Sequence, residues 1–131
     1  MKLLLDTHIW IWALYSPEKL SRAVRRKMEQ PVNELYLSPV SICEAHHMAK
    51  RRRLRIRLPF PQWLDEVLAH VPLLEAPFNF AVAAAASQID LPQSDLGDVL
   101  LAATASTFGL TLVTTDAQLL ACPGLITLPN D

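Results

Sequence analysis

A chain of 131 residues has the length of one domain, 1–131, and its 51% hydrophobic residues supply a core without disulfide or metal staples. A charged fraction of 19% and only 3 glycines exclude a disordered or low-complexity protein, and no apolar run reaches the ~18 residues that cross a bilayer. The net charge of -1 hides an asymmetry: residues 1–57 hold all 12 Lys and Arg with 5 acids, whereas residues 58–131 hold 8 acids and no Lys or Arg.

In chain order, Lys2–Leu5 reads as a short buried strand. It opens like a signal peptide, but Asp6 and His8 interrupt it and no small-residue cleavage site follows, so a cytoplasmic protein is expected. Thr7–Tyr15 carries the apolar face of a helix. Ser16-Pro17 is a cap with Pro at the first helical position, opening a basic amphipathic helix to about Gln30. Residues 35–37 form a strand, and Ser38-Pro39 repeats the cap signal before a helix to about Arg53. Pro59 and Pro61 break the chain, residues 62–70 are helical, and residues 72–74 are strand or loop. Asn79 caps an Ala-rich helix to Gln88, and Ser94 or Asp95 caps another that Gly109 ends near Phe108. A β-branched strand over 110–114, a turn of helix capped by Asp116 and a last strand over 125–128 close the chain. Strands alternating with helices make an α/β domain, a mostly parallel sheet covered on both faces. Cys43 and Cys122 fit neither a disulfide framework nor a CxxC site and are expected as small buried hydrophobes.

Four acids stand out against apolar surroundings. Leu3-Leu4-Leu5 runs into Asp6, and Leu112-Val113-Thr114-Thr115 runs into Asp116. Ligands of open α/β sheets gather outside the carboxyl ends of the strands, so parallel neighbours would bring both acids to that edge. Glu44 sits in Val40-Ser41-Ile42-Cys43, and Asp98 follows Asp95-Leu96-Gly97 in the first turn of a helix, where Gly97 permits a close approach. Taken singly, Asp6, Asp95 and Asp116 read equally as N-caps, Asp98 as an acid favoured by the helix dipole and Glu44 as half of an ion pair. Together they lack a counter-charge downstream of Arg57, and converging carboxylates repel unless a cation joins them. Oxygen donors without Cys or His favour Mg2+ or Mn2+.

With these residues the sequence resembles the PIN-domain nucleases, and among them the VapC-type toxins of toxin–antitoxin pairs. The likeness rests on Leu3-Leu4-Leu5-Asp6-Thr7-His8, on Glu44 after Ser38-Pro39-Val40-Ser41, on Asp95-Leu96-Gly97-Asp98-Val99-Leu100-Leu101-Ala102, and on Leu110-Thr111-Leu112-Val113-Thr114-Thr115-Asp116. It runs in order along essentially the whole chain. It departs at Leu96-Gly97 and Val99, where the family often has Pro-Phe and Arg. The resemblance implies a three-layer α/β/α PIN-like domain and a metal-dependent endoribonuclease leaving 5′-phosphate and 3′-hydroxyl ends. It implies catalytic and metal-binding roles for Asp6, Glu44, Asp98 and Asp116. Asp95 is then an accessory acid, and Thr7, Thr114 and Thr115 orient the site from behind it. It further implies an RNA substrate, a cognate antitoxin covering the acidic groove, and a homodimer.

Half of the basic residues fall within residues 50–57, and Arg51, Arg52, Arg53 and Arg55 are candidates for tracking an RNA backbone; a solvated helix end explains the block equally well. His47 lies three residues after Glu44, a spacing that serves metal sites only in duplicate, and one copy exists. Trp10 and Trp12 cannot share a helical face, so one belongs to the core and the other to a partner surface or, less favoured, a base-stacking position. The main competing function is a noncatalytic PIN-like module that binds RNA or protein. A receiver-like domain would need a late-strand basic residue that the second half lacks, and no GxGxxG or Walker A motif supports nucleotide binding.

Overall fold

The computed structural model of the chain describes residues 1–93 and 95–131. The elements are β1 (Lys2–Leu5), α1 (Thr7–Tyr15), α2 (Arg22–Glu29), β2 (Glu34–Leu37), α3 (Pro39–Lys50), α4 (Phe60–His70), β3 (Leu74–Glu75), α5 (Phe80–Ala85), α6 (Leu96–Phe108), β4 (Thr111–Thr114), α7 (Ala117–Leu120) and β5 (Thr127–Pro129). The five strands make one parallel sheet in the order β3-β2-β1-β4-β5. Parallel neighbours need crossover connections, and helices provide them on both faces.

β1 is central because it is apolar on both faces. Leu3, Leu4 and Leu5 are all but fully buried, and side chains alternate across a strand. Leu3 and Leu5 join Val113 and the inner faces of α1, α2, α3 and α4 in one cluster that includes Ile9, Trp10, Val24, Ala45 and Trp63. Leu4 joins Leu112 with Ala102 and Ala105 of α6 and Leu119 of α7 in the other. The sheet is thus sandwiched between two apolar layers, the expected three-layer α/β/α arrangement. The chain turns to one side of β1 with β2 and to the other with β4, which puts a topological switch point between β1 and β4.

Some boundaries differ from those read in the sequence. Ser16-Pro17 opens only a 3-10 turn, Pro17–Lys19, and Ser16 makes no side-chain cap bond. Leu20 then extends to bury its side chain, and Ser21 caps α2 by accepting from the Val24 amide at 3.1 Å. Helix α3 stops at Lys50 because Arg52 takes a left-handed backbone (φ 60°), so most of the basic segment lies in turns beyond it. Pro61 sits in the first turn of α4 rather than breaking the chain, since its missing N–H is an orphan there anyway. The last strand is shifted to Thr127–Pro129. Asp95 caps α6, accepting from the Asp98 amide at 2.9 Å; the alternative cap, Ser94, lies outside the described residues. Cys122 is buried as expected, but Cys43 is exposed on α3. Among the described residues no helix is long and apolar enough to cross a membrane.

Candidate active site

The register of the sheet builds the first half of the site. Leu5 pairs with Val113, and the ladder continues one step further, with the Asp6 amide donating to Val113 O at 3.0 Å. The next residue of β4, Thr114, is fully buried and donates its hydroxyl to Asp6 Oδ2 at 2.6 Å. Asp6 Oδ1 accepts from the Thr7 amide at 2.7 Å as α1 begins. The cap reading of Asp6 is therefore correct and incomplete. One oxygen caps a helix, while the carboxylate stands at the carboxyl end of the central strand.

Asp116 is reached two residues beyond Thr114. Its amide donates to Thr114 Oγ1 at 3.0 Å, and its Oδ1 caps α7 through the Gln118 and Leu119 amides at 2.8 and 3.2 Å. Thr114 thus ties the two strand-end acids together through one hydroxyl.

Helices α3 and α6 bring the other acids. Glu44 Oε1 accepts from Thr7 Oγ1 at 2.6 Å, and that hydroxyl lies 2.8 Å from Ser41 Oγ, three residues before Glu44 on the same face of α3. Gly97 faces Glu44 from α6. A Cβ at position 97 would stand 2.7 Å from Glu44 Oε2 and 3.1 Å from its Cδ, so that the Glu44 carboxylate would have to shift. The close approach anticipated at Gly97 is made by this carboxylate.

Asp6, Glu44, Asp95, Asp98 and Asp116 line one cavity of about 600 Å3, together with Thr7 and Thr115. Among the described residues, the hydrogen-bond partners of Asp6, Glu44, Asp95 and Asp116 are hydroxyls and backbone amides, all neutral. The electrostatic consequence is visible in the protonation equilibria. Burial pushes the Asp6 carboxyl up, against the opposing pull of Thr114 and the Thr7 amide. Burial, then repulsion from Asp6 and Asp95, raises Glu44 in spite of its bond to Thr7. Asp98 is pushed up to about 7, first by burial and then by the charges of Asp95, Asp116, Asp6 and Glu44. Carboxylates gathered in this way repel one another unless a cation joins them. Among the described residues no three His, Cys, Asp or Glu side chains are gathered as a ready-made metal cage. The acids stand around a shared space, with Asp6, Glu44, Asp95 and Asp116 each accepting hydrogen bonds that hold them there.

The basic candidates divide. Arg53 is on the wall of the acidic cavity, while Arg55 lines a neighbouring one and Arg52 a third. Arg51 ends α3 at the surface and lines none of the three. His8, Trp12, His47 and Met48 also line the acidic cavity, and Ser41 supports it from below. Ser41 was legible only as the residue one helical turn before Glu44.

A sequence model described as PIN domain matches residues 3–124. Ribonuclease VapC22 of Mycobacterium tuberculosis is 32% identical over 119 residues, which cover 88% of each chain. The crystal structure of VapBC2 from Rickettsia felis bound to a DNA fragment from its promoter superposes with a TM-score of 0.76 at 18% identity, covering both chains fully. DNA-bound VapBC from Salmonella typhimurium gives a TM-score of 0.72 at 17% identity, over 100% of this chain and 99% of that one. At these identities the two structures establish the fold.

Proposed function

Since the chain belongs to the PIN-domain family of VapC-type nucleases, we propose that it is an endoribonuclease toxin whose hydrolytic centre is Asp6, Glu44, Asp98 and Asp116. The observation that carries this reading is the convergence of those four side chains, from two strand ends and two helices, on one cavity.

Asp6, Glu44, Asp98 and Asp116 would hold Mg2+ or Mn2+, for which an all-oxygen donor set is suited. When bound, such an ion lowers the pKa of water and offsets charge on the scissile phosphate and leaving oxygen. Thr114 and the Thr7 amide hold Asp6 in a single orientation, and Thr7 does the same for Glu44. Glu44, whose affinity for a proton is raised by burial and by Asp6 and Asp95, accepts the proton of the attacking water. Asp95 fixes the first turn of α6, and with it Asp98. Arg53 meets an RNA phosphate at the cavity wall and Arg55 lies further out along the strand, while Arg51 and Arg52, outside the two adjoining cavities, add only diffuse attraction. Cleavage leaves 5′-phosphate and 3′-hydroxyl ends. A cognate antitoxin restrains the enzyme in the cytoplasm by covering the acidic cavity, and the toxin acts as a homodimer.

The test is cleavage of a mixed RNA pool by the purified chain with Mg2+ or Mn2+, against EDTA and against Asp98→Ala and Asp6→Asn. Activity that requires the ion and both carboxylates is expected. Equal cleavage by wild type and Asp6→Asn rejects the assignment, and RNA binding without turnover in any metal favours a noncatalytic module.

A further inference from the structure

A second cavity of about 470 Å3 opens beside the acidic one and shares His8, Trp12, Met48 and Arg53 with it. Its own walls add Tyr15, Lys19 and Arg55. The two cavities form a continuous groove, acidic at one end and aromatic and cationic at the other. Three features of the second end are distinctive. Trp12 is half-buried, whereas the other tryptophans, Trp10 and Trp63, are 2% and 3% exposed. Its ring has the Lys19 ammonium 5.6 Å from the centroid and the His8 ring at 6.1 Å. Tyr15, half exposed, is fixed at the far side by the Trp63 indole N–H, which donates to its hydroxyl at 2.5 Å.

An aromatic face ringed by cations is the combination that binds unpaired nucleotides: the ring stacks a base of any identity and the cations meet the backbone on either side. Continuity with the acids decides between possible occupants. A strand whose scissile phosphate lies among Asp6 and Asp98 passes Arg53, which belongs to both cavities, and places its neighbouring nucleotide at Trp12. We propose that Trp12 is the stacking platform for the nucleobase next to the scissile phosphate, with Lys19 and Arg55 holding the phosphate beyond it. This rests on the nuclease reading above for the identity of the strand. Arrival of the base on the ring displaces the Lys19 ammonium and frees it for phosphate. The subsite binds a base through its face, so it favours unpaired nucleotides without selecting a sequence.

The experiment measures affinity of the full chain, with Mg2+ and with Asp98→Asn to stop turnover, for two probes. One is a ten-nucleotide unstructured RNA; the other is inorganic polyphosphate, which carries the charge without the bases. Trp12→Ala in this background is expected to lose on the order of 10-fold or more in RNA affinity and little for polyphosphate, with Trp12→Phe recovering most of the loss. Lys19→Ala is expected to weaken both probes. Because Trp12 also packs on the core side of α1, the unaltered tryptophans give an independent reading: RNA, but not polyphosphate, should quench the fluorescence of the half-buried Trp12 indole. Equal affinity of Trp12→Ala for RNA together with absent quenching overturns the proposal, even if wild type cleaves RNA. Quenching and selective loss without any cleavage by wild type would instead leave the subsite standing and reject the nuclease reading.

Discussion

At the scale of single residues, the site depends on groups that carry no charge. Gly97 gives the sharpest case, because its lost hydrogen would be replaced by a methyl group 2.7 Å from Glu44 Oε2. Alanine is the better helix former, by up to ~1 kcal/mol in a helix interior, so Gly97→Ala is expected to hold or raise the melting temperature. The same methyl moves the Glu44 carboxylate, and RNA cleavage should fall by at least ~10-fold. A variant with unchanged kcat would show that the position of Glu44 is not critical. Thr114→Val keeps the volume of a fully buried side chain and removes both its bond to Asp6 and its acceptance from the Asp116 amide. Denaturant unfolding should show a loss of about 1–3 kcal/mol at neutral pH, together with lower activity. Protonation supplies a third expectation. Asp6, Glu44 and Asp98 bind protons more tightly in the folded chain than their ordinary values allow, Asp98 up to about 7. A folded state that binds more protons than the unfolded one loses stability as pH rises. In EDTA the contribution of these groups should therefore be complete only below about pH 4, and the melting temperature should fall steadily through about pH 7, where Asp98 is half ionised, and level off roughly one pH unit above it. Mg2+ should remove most of that slope, and a slope unaffected by any divalent ion would contradict a metal role for these acids.

At the scale of elements, sequence and structure coincide where local chemistry and packing agree. β1, α1, the N-terminus of α3, α6 with its Gly109 stop, and the strand–acid junctions at Asp6 and Asp116 all fall where apolar runs, caps and Gly place them. The differences have a common origin in tertiary demands on short segments. Ser16-Pro17 has the chemistry of a helix start, but burying Leu20 at 5% exposure interrupts the helix and hands the cap to Ser21. The C-terminal tail adds to this: Asn130 accepts from the Ser21 amide and donates to Lys19 O, a clamp spanning the chain that no local pattern reveals. Arg52 is the other case. Nothing in a run of arginines announces a residue at φ 60°, yet that conformation ends α3 and directs residues 53–55 back over the acidic cavity and its neighbour. Left-handed backbone suits glycine and penalises β-branched residues most. Arg52→Gly is thus expected to match or exceed wild type in stability, whereas Arg52→Val should fall below the glycine variant by about 1–2 kcal/mol. Equal melting temperatures for the two would show that the turn is not strained.

At the scale of the whole molecule, the charge asymmetry becomes a spatial arrangement. The acidic half contributes Asp95, Asp98 and Asp116, while the basic half contributes Asp6 and Glu44 and also every cation of the groove. The parallel sheet causes this by bringing β1 beside β4 and setting α3 against α6, so residues as far apart as Asp6 and Thr114, 108 positions, share one edge. Composition alone could announce the imbalance but not its placement; that required knowing which strands are neighbours. The arrangement also fixes how RNA binding responds to salt. Each phosphate neutralised on a single strand contributes about −0.7 to the slope of log affinity against log salt. With Lys19, Arg53 and Arg55 lining the groove, a slope of about −2 is expected for the Asp98→Asn chain with Mg2+ held constant. Arg53→Ala should make that slope shallower by about 0.7, as should Arg55→Ala, because each removes one phosphate contact. Arg51→Ala, at the surface end of α3 and outside the groove, should change it least. If Arg51 and Arg53 contribute equally, the basic segment binds as a diffuse cloud of charge rather than as the wall of a groove, and the path of the strand past Arg53 fails with it.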